Sequence, residues 1–173
     1  MKQPKPLPAE ELFAWAVRKL AARAVSEGEL RAALIARALE PSDVETVVGR
    51  LKDYGYLNDA RFAESFASAR LENEGLGQSR VLRDLRRRRV APDLARRTVA
   101  KTYAGQDESV LIEQFLQRKY RTAEREGLFQ TRNDLARAYA RLLRAGFTPG
   151  NSITVLKRLA ANPHLLDDMD DSL

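Results

Sequence analysis

LGQSRVLRDLRRRRVAPDLARRTVAK (Leu76–Lys101) reads as two helices parted by a break at Ala91-Pro92. In the first, Val81, Leu82 and Leu85 fall within about one third of the helical circumference and mark the buried side. At roughly 100° per residue, Arg80, Arg83 and Arg87 project together from the opposite side, with Arg86 at its edge. The second helix buries Leu94, Ala95, Thr98 and Val99. It sends Arg96 outward and aligns Arg97 with Lys101 one turn on. Nine Arg and Lys side chains here face only Asp84 and Asp93, a net +7 against +6 for the whole chain. The basic character of the protein is concentrated in its middle.

A solvated helix face accounts for Arg88 and Arg89, which sit in a last turn where cations offset unsatisfied carbonyls by roughly 0.3–1 kcal/mol each. It accounts less well for Arg80, Arg83 and Arg87, because like charges at i, i+3 and i, i+4 repel by a few tenths of a kcal/mol per pair. A polyanion or an acidic protein groove would relieve them. Arginine rather than lysine suits planar partners held through two hydrogen bonds, phosphate or carboxylate.

The remaining composition excludes more than it selects. Of the 173 residues 44 % are hydrophobic, enough for a real core. The chain has no cysteine, which removes disulfides and thiolate zinc sites and agrees with a reducing, cytoplasmic location. No apolar run approaches the roughly 20 residues that span a bilayer, and MKQPKPLPAEEL lacks a signal-peptide core. The lone histidine, His164, reads as an exposed residue beside Pro163. Without a second His, and with no phosphate-cradling glycine pattern, no catalytic residue, metal site or cofactor is expected. Asp53 and Asp59 bracket one corner, but without His, Cys or a phosphate loop they make a poor active site. The composition points to a binder rather than a catalyst.

Residues 1–8, with three prolines, read as a flexible lead-in. Helical periodicity begins at Ala9 and continues through Phe13, Val17, Leu20 and Ala24, with Trp15 flanking. Ser26 followed by Glu29 forms a capping box for a helix through Leu30, Leu34 and Ile35. Pro41-Ser42-Asp43 opens a third helix, with Val44, Val47, Val48 and Leu51 inside. At the corner Tyr54-Gly55-Tyr56-Leu57-Asn58-Asp59, Gly55 takes a left-handed conformation and Asn58 or Asp59 caps the next helix. Tyr56 and Leu57 pack against both neighbouring helices, and that next helix carries Phe62 and Phe66. Beyond the basic pair, one helix holds Val110, Leu111, Phe115, Leu116 and Tyr120. Another runs from about Arg132 through Leu135, Tyr139, Leu142 and Leu143 to Gly146. The last holds Ile153, Val155, Leu156 and Leu159, before an acidic tail of Asp167, Asp168, Asp170 and Asp171. No stretch alternates as a strand would; the reading is nine helices.

One pattern recurs three times: Leu30, Leu34, Leu39, Pro41; Val81, Leu85, Val90, Pro92; Ala138, Leu142, Phe147, Pro149. It describes a helix with an inward face, an apolar plug at its corner, and a proline opening the next helix. Each copy is preceded by one more helix, so the expected fold is all-α, an elongated array of three tandem three-helix modules. The modules are residues 9–55, 56–104 (the basic one) and 105–162, followed by the tail at 163–173.

The run GYLNDARFAESFASAR (Gly55–Arg70), then Gly75, Gly77, Arg80-Val81 and Leu85, resembles the middle of the RecX family of bacterial recombination regulators. ARLLRAGFTP (Ala140–Pro149) is similar to that family's closing motif, and Arg23–Ser26 with Glu29–Arg31 to its opening one. The resemblance covers about residues 10–160. It implies a curved array that binds the RecA recombinase filament on single-stranded DNA along its groove. The implied effect is to modulate, most often inhibit, filament extension, ATP hydrolysis and strand exchange, in recombination, DNA repair and the SOS response. Direct binding of single-stranded DNA, with double-stranded DNA as a further candidate, is implied as well. One departure stands out: family members commonly place Gly before the corner plug, and here Ala38 and Arg89 occupy two of those positions, with only Gly146 conforming. A non-Gly residue there either pays about 1 kcal/mol for a left-handed conformation or closes the helix differently.

The expected filament or DNA contacts are Arg80, Arg83, Arg86 and Arg87, with Arg96, Arg97 and Lys101 beside them. Tyr54, Gly55, Tyr56, Leu57, Asp59, Phe62 and Phe66 are expected to hold the junction between the first two modules. The protein is expected to act as a monomer, away from membranes. The alternative is a stand-alone DNA-binding protein with helix-turn-helix-like modules. Against it, the helix after Ala91-Pro92 begins with Asp93, where a recognition helix needs donors. Asp167–Asp171 folding back on the arginine face is a further expectation, resting on charge alone.

Overall fold

The computed structural model describes residues 5–120, 129 and 131–160. His164 and the acidic tail therefore lie outside the described residues, as do residues 1–4. Nine α-helices make up the described chain, with no strand beyond two isolated bridges, Leu7 with Ala38 and Phe129 with Ala160. The fold is all-α, as the periodicity predicts. The chain divides into two compact units, Met1–Ala67 with Asp84–Val99, and Ser68–Arg83 with Ala100–Leu173. The boundary falls within the stretch 56–104, so that stretch contributes to both.

In the first unit, α1 (Ala9–Ala22), α2 (Glu27–Ile35) and α3 (Asp43–Asp53) pack on one another. Their core is Leu12, Ala16, Val25, Leu30, Leu34, Val44, Val47, Val48 and Leu51, closed by Leu57. Each of the larger aliphatic side chains contributes about 1.5–3 kcal/mol by leaving water. The capping box at Ser26 forms: its hydroxyl accepts from the Glu29 N–H at 3.1 Å, and its own N–H donates to the Glu29 carboxylate at 3.2 Å. Residues 5–8 are not a free lead-in. Leu7 donates to Arg37 O at 2.7 Å and accepts from Leu39 N at 2.8 Å.

That bridge explains where the first copy of the repeat departs from the others. Val90 and Phe147 are buried plugs, but Leu39 is 55 % exposed, and Ala38 packs on the core beside Leu7. An extended stretch alternates its sides, so pairing residues 37–39 with Leu7 turns Ala38 in and Leu39 out. Ile35, also expected inside, is exposed. The second copy takes the other route. Arg89 has φ +58°, the one left-handed non-glycine among the described residues. Arg89→Gly removes that strain, and urea denaturation should show a gain of about 1 kcal/mol. A loss would mean that the Arg89 side chain holds more than its exposure suggests.

The middle elements are α4 (Asp59–Ala69), α5 (Gln78–Arg87) and α6 (Pro92–Thr102), with a π-helical turn at Arg70–Glu74 after α4. Gly75, at φ +63°, ends that turn. Pro92 opens α6, where its missing N–H costs nothing. The second unit is built on α7 (Glu108–Tyr120), α8 (Arg132–Ala145) and α9 (Pro149–Leu159), with α9 packed on both others. Its core includes Ile112, Phe115, Leu116, Leu135, Leu142, Phe147, Val155 and Leu156, and also Phe129. Val110, expected inside, is exposed, and its place is taken by Ile112. The Tyr103 hydroxyl donates to Leu76 O at 2.5 Å, and burial pushes its pKa up to about 12.

Each unit contains the same kind of helix joint. In the second unit, the Gly77 N–H, just before α5, donates to Ala145 O at 2.9 Å, and the Ser79 N–H to Gly146 O at 3.3 Å. In the first unit, the Ser26 hydroxyl, at the start of α2, donates to Arg88 O beyond the end of α5. The start of one helix thus meets the orphan carbonyls at the end of another, and opposite helix-end charges face each other.

Candidate functional site

The basic residues sit where the helical period of α5 and α6 puts them. Val81 and Leu85 are fully buried, and Arg83, Arg86 and Arg87 are exposed. On α6, Ala95, Thr98 and Val99 are buried and Arg96, Arg97 and Lys101 exposed. Arg96 pairs with Asp93 one turn back. Among the described residues, Arg83, Arg86, Arg87 and Arg97 have no carboxylate within ion-pair distance. Four exposed guanidiniums therefore keep their hydrogen-bond donors toward solvent.

Arg80 differs from that group. It is half-buried, and its Nη1 donates to Arg144 O at 3.3 Å at the end of α8. The helical period places it with Arg83 and Arg87, but packing against α8 ties its side chain to a backbone carbonyl. The predicted contacts also divide between the units: Arg86, Arg87, Arg96 and Arg97 belong to the first, and Arg80, Arg83 and Lys101 to the second.

The corner residues split by function. Gly55 is left-handed at φ +71°, and Leu57 is buried in the first core. Tyr54 and Tyr56 are 63 % and 55 % exposed, packing on each other and, for Tyr54, on Phe13, with ring centres about 6 Å apart. The corner closes on Leu57 alone, which leaves the two tyrosine rings toward solvent. Asn58 caps α4, accepting from the Arg61 N–H at 2.9 Å. Asp59 serves a different helix: its carboxylate accepts from the Glu27 N–H at 2.6 Å, at the start of α2. Burial pushes the Asp59 carboxyl up, and that hydrogen bond only partly offsets the rise.

Phe62 and Phe66 stack at 6.0 Å, and the Arg88 guanidinium lies 5.0 Å and 5.7 Å from their centres. Arg88 also pairs with Glu29 at 2.6 Å and donates to Ala24 O at 3.1 Å. Phe62, Phe66 and Arg88, with Tyr56, Leu57 and Arg61, line a groove of about 450 Å³. Arg88 is therefore the anchor of the first unit's joint, not the solvated helix-end charge that its position in sequence suggests. No local pattern could have found it, because Glu29 lies 59 residues away.

Arg88 also sets an acid dependence. Burial would raise the Glu29 carboxyl, but hydrogen bonds from Arg88 and the Ser26 N–H outweigh it and hold the group below its usual 4.5. A carboxyl depressed by folding stabilises the protein above its unfolded pKa, and that contribution is lost as pH falls through the folded value. Arg88→Met should cost about 1–3 kcal/mol at pH 7 through the lost charged hydrogen bonds and ring contacts. The deficit should shrink as pH drops below 4.5. Denaturation midpoints measured from pH 7 to pH 3 test this, and a deficit independent of pH would remove Glu29 from the account.

Among the described residues no helix is long and apolar enough to cross a membrane, and no three His, Asp or Glu side chains are grouped to hold a metal ion.

Known proteins share this architecture. Residues 58–99 match the family model for the second three-helix domain of RecX. A regulatory protein RecX of Amycolatopsis mediterranei is 32 % identical over 174 aligned positions, covering 95 % of this chain and 97 % of its own. One of Deinococcus radiodurans is 36 % identical over 138 residues, 80 % of this chain but 63 % of that protein. The crystal structure of RecX from Lactobacillus salivarius superposes with a TM-score of 0.64, covering 87 % of this chain and 96 % of its own at 16 % identity. That last likeness concerns the fold.

Proposed function

The chain belongs to the RecX family of regulatory proteins, and from that membership we propose that it regulates homologous recombination by binding the RecA filament on single-stranded DNA. On this reading it lies along the filament groove as an array of three three-helix modules. It lowers filament extension, ATP hydrolysis and strand exchange, as a cytoplasmic monomer with no catalysis of its own. The observation that carries the reading is the set of exposed guanidiniums without carboxylate partners, Arg86, Arg87 and Arg97 in the first unit and Arg83 in the second. They offer paired donors to filament carboxylates or to DNA phosphates. Arg96 and Lys101 stand on the same helix as Arg97, and Arg80 contributes its charge from a fixed position.

The test is ATP hydrolysis by the cognate recombinase on single-stranded DNA, with this protein titrated well below one copy per recombinase subunit. Hydrolysis should fall at such doses, because a groove-bound regulator acts on filament growth rather than on each subunit. If hydrolysis holds until the protein is abundant enough to coat the DNA, the action is competition for phosphates, and the stand-alone DNA-binding reading replaces this one.

A further inference from the structure

The second unit carries a basic cleft of about 480 Å³ that, Arg80 apart, the basic stretch of α5 and α6 does not form. Arg80, Arg118, Lys119, Arg141 and Arg144 line it, with Glu74 the one acidic side chain. Glu74 is already paired, one helical turn back, with Arg70. Three of the cations contact neutral groups. Arg118 Nη1 donates to the carbonyls of Glu72 at 3.3 Å and Asn73 at 3.5 Å, where the π-helical turn ends. The Arg141 guanidinium lies 5.3 Å from the Tyr120 ring centre, and the Lys119 ammonium 5.7 Å from that of Phe115. Among the described residues no carboxylate pairs with Arg118, Lys119, Arg141 or Arg144. Carbonyl and ring contacts fix a guanidinium without neutralising it, and most of its five N–H donors stay available.

Five cations drawn from three helices, α5, α7 and α8, against the single carboxylate of Glu74, repel one another across the cleft unless further anions enter it. The chemistry of the walls selects which anion. The apolar lining beneath the charges includes Phe115 and Ala145, 4 % and 5 % exposed. A peptide ligand would need several apolar anchor pockets, and with Leu76 alone half-buried beside these covered side chains the lining does not provide them. Nor is there an exposed ring in the lining on which a base could stack. What remains is recognition of regularly spaced phosphates by arginine forks. We propose that this cleft is a nucleic-acid site that takes the phosphodiester backbone without reading sequence, separate from the arginines at the end of α5. The proposal does not rest on the filament reading.

The experiment is fluorescence anisotropy of labelled oligo-dT and of a mixed-sequence duplex over a series of salt concentrations. It compares the parent, Arg141→Ala/Arg144→Ala and, as an equal loss of charge from the first unit, Arg18→Ala/Arg23→Ala. Each phosphate contact on a single strand contributes about 0.7 to the slope of log K against log salt. The cleft variant should therefore lose about 1.4 from that slope and bind several-fold more weakly, while the control stays near the parent. Lys119→Ala, on a different helix, should lose about 0.7. Thermal melts of all variants separate loss of contact from loss of fold. A fall seen only with the duplex keeps the cleft as a backbone site and assigns it to duplex DNA. Equal losses in cleft and control variants would reduce the effect to net charge and overturn the proposal. Unchanged DNA binding, with polyglutamate bound by the parent and not by the cleft variant, would overturn it in favour of an acidic protein. Suppression of recombinase ATP hydrolysis is read separately, so the two proposals fail independently.

Discussion

Gly146→Ala should cost the protein about 2–4 kcal/mol. Gly146 ends α8 at φ +94°, a conformation that costs a residue with a side chain about 1 kcal/mol. The second term is steric. A Cβ at this position would lie 2.5 Å from the Arg80 Cβ and 2.9 Å from its Cα, and nearer still to its backbone nitrogen. These are backbone atoms and a first side-chain carbon, which cannot swing aside, so α5 and α8 would have to part; overpacking of this kind costs about 1–3 kcal/mol. Parting would also break the bond from the Ser79 N–H to Gly146 O. Gly77→Ala separates the two terms. Gly77 has no positive φ, yet its Cβ would lie 2.5 Å from Gly146 C and 2.7 Å from the Phe147 nitrogen. It should lose only the steric part. Gly150→Ala is the control: it has open space around it inside α9, so alanine there should be neutral or stabilising by up to about 1 kcal/mol. Denaturation midpoints that place Gly146→Ala beside Gly150→Ala would mean that the joint between α5 and α8 does not hold the unit together.

The same joint shows what one sequence can and cannot reveal. Gly146, Pro92, Pro149 and the Ser26–Glu29 box are local signals, in which a residue type and its spacing fix a helix end within a few positions. Each appears in the structure as the sequence implies. Periodicity likewise placed Val81 and Leu85 inside and Arg83 and Arg87 outside. What escaped reading depends on residues far apart in the chain. Leu39 turns outward because Leu7, 32 residues earlier, pairs with its neighbours, and Arg88 is claimed by Glu29, Phe62 and Phe66. Val110 and Ile112 lie in a continuous apolar run, where a helical period fits more than one face, and packing against α9 made the choice. The cleft cations come from α5, from α7 and from α8, each looking in sequence like an ordinary solvated charge. Local chemistry writes helix ends; only the fold writes joints and clefts.

Arg86→Glu/Arg87→Glu/Arg97→Glu should weaken binding to the recombinase–DNA filament by tenfold to a thousandfold, the range over which electrostatic steering acts. All three residues belong to the first unit, are exposed, and have no ion-pair partner among the described residues. Reversal therefore removes no internal contact, and each change should shift stability by no more than about 0.5 kcal/mol. Arg80 is left untouched because its bond to Arg144 O would confuse loss of contact with loss of structure. Three reversals lower the formal charge of +6 to zero, so net charge alone could account for weaker binding. Lys5→Glu/Arg18→Glu/Arg23→Glu makes the same change elsewhere in the first unit and serves as the control. The dose of protein that halves recombinase ATP hydrolysis should rise far more for the α5–α6 variant than for the control. The nature of the partner follows from the variant's binding to DNA alone. If the three arginines meet phosphates, its slope of log K against log salt on single strands should fall by about 2. If they meet filament carboxylates, that slope stays with the control while filament affinity still collapses. A variant that suppresses hydrolysis at the parent's dose would show that the exposed guanidiniums of α5 and α6 are solvated charge, and the search for the docking face would move to another surface of the protein.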